Sequence, residues 1–94
     1  MLKATPFEIN DLKGTIYDLE KKGDIFPTHT HSDIDIHITV VSRGRLKCIG
    51  RPDIQGQIIS AGMVLDWNPG EAHGFVALED NSRLVKIQKN FRHP

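Results

Sequence analysis

Four of the five histidines in this 94-residue chain fall in two short windows. Imidazole both ligates metals and moves protons near neutral pH, so such clustering points to a site. His29-Thr30-His31 puts two imidazoles two residues apart. On a strand, residues at that spacing project to one face about 6.5–7 Å apart, so both rings can converge on one ion. His37 lies in the next predicted strand, and His73 follows the Asn68-Pro69-Gly70 turn. Ligands drawn from separate strands are held in place by the sheet itself. A neutral, all-imidazole set leaves a divalent ion its full charge, which raises its Lewis acidity and lowers the pKa of bound water. Asp35 has the parity of His37 and is the alternative ligand or a supporting partner, whereas His93, near the C-terminus, reads as solvated.

The elements that must carry these residues are strands. Apolar residues recur at a period of two, and turn residues arrive about every 8–12 positions, the pattern of a sandwich or barrel. The clearest strand runs from Ile34 to Val41, where Ile34, Ile36, Ile38 and Val40 alternate with Asp35, His37, Thr39 and Val41. Ser42-Arg43-Gly44-Arg45 supplies a turn, with Gly44 suited to positive φ. Further strands are expected over Leu46–Ile49, Gln57–Ser60, Met63–Trp67, His73–Leu78 and Arg83–Lys89. Upstream signals over Thr15–Leu19 and Asp24–His31 are weaker, and Pro27 confines the latter to an edge or a strand start. A single helical turn is expected around Asn10–Lys13. If His37 faces inward, Ile34, Ile36, Ile38 and Val40 face outward, where an apolar row is costly in water. A folded-over N-terminal segment or, preferably, a second subunit of a homodimer is expected to cover them.

Composition removes several function classes. Twelve basic and twelve acidic side chains cancel, whereas nucleic acid or an anionic membrane calls for a positive surface. Cys48 is the sole cysteine, so no internal disulfide can form, and it reads as an inert thiol packed in a strand. The N-terminus has no basic segment followed by an apolar run, and nothing approaches the ~20 apolar residues of a membrane span. A cytoplasmic protein is the expectation, and one domain suits the length.

Two segments carry a family likeness. Gly23, five residues, His29-x-His31, then six residues between His37 and Gly44, resembles the first cupin motif. Gly62 through Pro69-Gly70 to His73 resembles the second. The likeness covers about Gly23–Ala77 and implies an all-β, double-stranded β-helix (jelly-roll) barrel holding a divalent transition metal: Fe, Zn, Ni, Mn or Cu. Carried over by position, it makes His29, His31, His37 and His73 the ligands. There are departures. Counting back from Gly44 puts His37 where the pattern has glutamate, while counting forward from His31 reaches Asp35. His37 is preferred because register into the turn is fixed by pairing. Six residues rather than five precede Pro69, and Ala77 stands where the pattern has asparagine.

Phe26, Trp67 and Phe75 flank the two motifs and are candidates for the pocket wall, with plain core packing as the other reading. Phe75 shares the parity of His73. Tyr17 could donate a proton at a cavity mouth or simply sit on an edge. Arg45 and Lys47 share a strand face that could meet an anion or be merely solvated. The resemblance implies either a small metal-dependent enzyme, with dioxygenase-like or lyase and isomerase chemistry on a small molecule, or a non-catalytic module that binds metal or ligand as a sensor. No general base is placed by either motif, and Glu71 is the carboxylate nearest His73 in sequence.

Overall fold

The computed structural model describes residues 2–29, 36–50, 52–66 and 72–89; the side chains of His29 and Ile36 lie outside that description. These residues form β1 (Leu2–Ile9), β2 (Leu12–Leu19), β3 (Ile25–His29), β4 (Ile36–Arg43), β5 (Arg45–Ile49), β6 (Ile58–Ser60), β7 (Val64–Asp66), β8 (His73–Ala77) and β9 (Ser82–Lys89). They assemble into two antiparallel sheets, ordered β1-β2-β9-β4-β7 and β3-β8-β5-β6. No described helix is long and apolar enough to cross a membrane.

The pairing β2-β9-β4 fixes which side chains look inward. Tyr17, Leu84 and Val41 share one cross-strand row, and Thr15, Lys86 and Thr39 share the next. Residues directly opposite one another in a sheet point to the same face, so each row is a single layer of the interior. The first of these rows meets Phe26, Leu46, Ile59 and Phe75 from the facing sheet, and these residues make up most of the buried core. At the far end of the inner face come Lys13, Gln88 and His37, again one row. The barrel is therefore apolar at one end and becomes polar towards the other.

The turn after β4 is held by sterics. Gly44 has φ +81°, and a Cβ there would collide with buried Ser82, whose hydroxyl donates to Glu79 O at 2.9 Å. A non-glycine residue pays twice at this point, through the left-handed backbone and through the lost approach. Gly14 is a second forced glycine, because the Phe7 ring of β1 lies across it.

Two expectations need correcting. Asn10–Lys13 is not helical: Ile9 pairs with Leu12, so Asn10 and Asp11 form a two-residue hairpin turn with Asn10 at φ 54°. Asx residues tolerate that conformation, which is why such a pair can make a hairpin as well as start a helix. β7 is described over Val64–Asp66, and Trp67, expected at the end of this strand and at the pocket wall, lies outside the described residues. The N-terminal segment does not fold over the Ile38 and Val40 stripe, because β1 extends the same sheet beside β2.

Candidate metal and ligand site

His37 and His73 arrive from opposite sheets. His37 sits on β4 with Thr39 and Val41, and all three are buried. Ile38 and Val40 alternate with them on the outer face, as the period-two pattern requires. His73 begins β8, two positions before Phe75 on the same face. The imidazoles are 4% and 2% exposed, and both Nε2 atoms are fully buried. Their ring centres lie 4.7 Å apart with the planes at 70°.

Between the two rings and the core is a small cavity lined by Tyr17, Phe26, His37, Thr39, His73, Phe75, Leu84 and Lys86. About 10 Å³ is open to the centre of a water-sized sphere, which is room for roughly one water or ion. Its floor is an aromatic stack. Tyr17 meets Phe26 edge-on at 4.4 Å, and Phe26 meets Phe75 at 5.8 Å. Both phenylalanines expected at a pocket wall therefore line the cavity while also packing the core. Tyr17 is not an edge residue, since β2 lies between β1 and β9.

His29 is tied to this place by backbone register. β3 pairs with β8 through Phe26↔Phe75 and then His29↔His73, with a register shift between them. The shift adds one residue to β3 between these two pairs, the pattern of a β-bulge. His31, Asp35, Trp67 and Glu71 lie outside the described residues. Among the described residues no group of three or more His, Cys, Asp and Glu side chains comes together, and the described convergence is the His37–His73 pair.

A two-imidazole cluster can be tested against metal geometry. With a metal–nitrogen distance of about 2.1 Å and the ring centre about 1.1 Å farther in, two imidazoles at about 90° on one ion have centres roughly 4.5 Å apart. The separation of 4.7 Å meets that distance and is equally that of a plain edge-to-face ring contact. Imidazole suits Zn, Cu, Fe and Ni, which leaves the choice of ion open.

Sequence reasoning passed over Lys86, which lines the cavity from β9 with its Nζ 5.7 Å from the centre of the Tyr17 ring. A lysine alternating with valine and isoleucine reads as a solvated strand face, and only the register to Thr15 and Thr39 places it inside. Arg45 and Lys47 are the solvated cations. Both are exposed, and Arg45 pairs with Glu79 at 2.9 Å. Cys48 is 1% exposed in the core, and burial pushes its thiol pKa up, in keeping with an inert packed residue.

Two facing antiparallel sheets in this strand order, joined across a histidine-lined interior, are a jelly roll of the cupin type. The chain has the fold of small cupins. It is similar to KdgF from Halomonas sp., with 20% identity, a TM-score of 0.79, and 97% of this chain and 80% of that one covered. An RmlC-like cupin from Desulfovibrio desulfuricans is 26% identical, covering 94% of this chain and 80% of that one, with a TM-score of 0.69. The Cupin_2 domain of an XRE family transcriptional regulator from Enterobacter cloacae is 12% identical, with a TM-score of 0.76 over 97% of this chain and 98% of that one. No protein-family model matches the sequence, and no curated protein matches it significantly.

Proposed function

We propose that this cupin binds a divalent transition metal through His37 and His73, with His29 and His31 completing the set, and works as a small metal-dependent enzyme on a small molecule. The observation that carries this reading is the meeting of two buried imidazoles from opposite sheets at 4.7 Å beside a cavity of ion size. His29, the register partner of His73, stands at the same place on the neighbouring strand. Bound there, the ion would act as a Lewis acid towards a carbonyl, a water or dioxygen.

The chain's own residues supply the rest. Phe26, Phe75 and Leu84 keep bulk water from one side of the cavity, and the rings gain electrostatic strength from that exclusion. Tyr17 and Thr39 offer hydroxyls at the cavity wall, and Lys86 offers a positive charge. Among the described residues no carboxylate lines it. Besides the imidazoles, Tyr17 and Lys86 are the described lining residues with a group that can exchange a proton.

The second reading is a metal- or ligand-binding sensor without turnover, favoured by the likeness in fold to a domain of a transcriptional regulator. Metal analysis of protein purified without added metal, followed by screening for turnover before and after chelation, separates the two. Stoichiometric metal with chelator-sensitive turnover lost in His73→Ala supports the enzyme. Metal or ligand binding without turnover supports the sensor. Protein that takes up no metal from any of Fe, Zn, Ni, Mn or Cu sinks both.

A further inference from the structure

Lys86 stands on the inner face of β9, with Thr15 of β2 and Thr39 of β4 as its cross-strand partners. It is half-buried there, at the wall of an open groove. Among the described residues it makes no ion pair; its one described contact of this kind is the Tyr17 ring. Lys86 also borders two spaces at once. One is the imidazole cavity. The other is an open groove of about 510 Å³ along β1, β2 and β9, whose polar lining adds Glu8, Lys13, Thr15 and Gln88. Glu8 is the cross-strand partner of Lys13, and Lys86 stands between two threonines. Beside it, Gln88 Oε1 is buried with no hydrogen-bond partner among the described residues.

We infer that the groove binds a small carboxylate-bearing molecule through its carboxylate on Lys86, which also borders the imidazole cavity. An anion answers an ammonium that makes no ion pair among the described residues. The volume lies in the range of small-molecule sites. This names the substrate class for the site proposed above and rests on that reading only for what happens at the imidazoles. Anion binding itself needs no metal.

The test uses the full chain freed of metal by chelation, with L-malate as the probe and its neutral diamide as the control, followed by amide chemical shifts in NMR. Malate is expected to shift the Thr15, Lys86 and Gln88 amides saturably at up to about 10 mM, while the diamide leaves them in place. Lys86→Met should weaken malate about tenfold or more, the loss of one charge-assisted hydrogen bond, while Lys86→Arg retains it. Lys47→Met, on an exposed strand face, should bind as the unaltered chain does. Absence of saturable shifts, equal shifts with the diamide, or undiminished binding by a folded Lys86→Met overturns the proposal. Should Lys86→Met fail to fold, the malate–diamide contrast and Lys86→Arg decide. Malate binding in a protein that takes up no metal upholds the anion site and sinks the metal reading. Malate binding only after metal loading, and indifferent to Lys86→Met, does the reverse.

Discussion

A metal held by His37 and His73 would tie β4 of one sheet to β8 of the other, so its binding energy becomes folding energy. At free metal a thousandfold above its dissociation constant, mass action adds about 4.1 kcal/mol to stability. For 94 residues, at about 2.1 cal/mol/K each, the unfolding entropy is about 0.2 kcal/mol/K, and the midpoint should rise by about 20 °C. His73→Leu keeps most of the volume at a site 2% exposed. In chelated protein it should cost about 1–3 kcal/mol, because the partners of the buried imidazole are lost. Its response to metal should nevertheless collapse to a few degrees. Scanning calorimetry of both proteins, with chelator and with zinc, measures all four midpoints. Equal shifts in both proteins would refute the reasoning, because the ion would then be bound away from His73. A wild-type midpoint that does not move with any of the five metals would refute it too.

Other consequences are smaller in scope. Gly44→Ala should cost at least about 2 kcal/mol in urea unfolding, since it combines a left-handed backbone with a Cβ against Ser82. Cys48, with its thiol pKa raised by burial, should react with a thiol reagent at pH 8 only as fast as the chain unfolds; rapid native-state labelling would contradict its packing. Val64 is 64% and Ile9 61% exposed on an outer face shared with Ile16, Ile38, Val40, Val85 and Ile87. Such a patch fits a second copy of the chain, so sedimentation should report a homodimer that Val64→Glu splits, and a monomer at high concentration would remove this expectation.

How much of this could be read in the sequence depended on the strength of alternation. Ile36 to Val41 and Arg83 to Lys89 alternate cleanly because one face meets the core, and both are strands. β1 gave no usable signal. Its inner face is Leu2, Ala4, Pro6 and Glu8, too mixed to register as periodic, and a proline is a poor strand signal. Only its place at the sheet edge makes that proline tolerable. Of the four histidines singled out by spacing, His37 and His73 meet, and the pairing of His29 with His73 depends on a bulge that no residue pattern announces. Lys86 was hidden for a related reason. Which face of β9 is inner follows from its neighbours on both sides, not from its own residues.

The central claim is that imidazoles from both sheets share one metal ion. X-ray absorption at the edge of whichever metal co-purifies, on wild type and on His37→Ala, tests it most directly. The account predicts three or four imidazole nitrogens about 2.0–2.2 Å from the ion and one fewer in the variant. A shell dominated by oxygen or sulfur, or one unchanged by removal of His37, would contradict it.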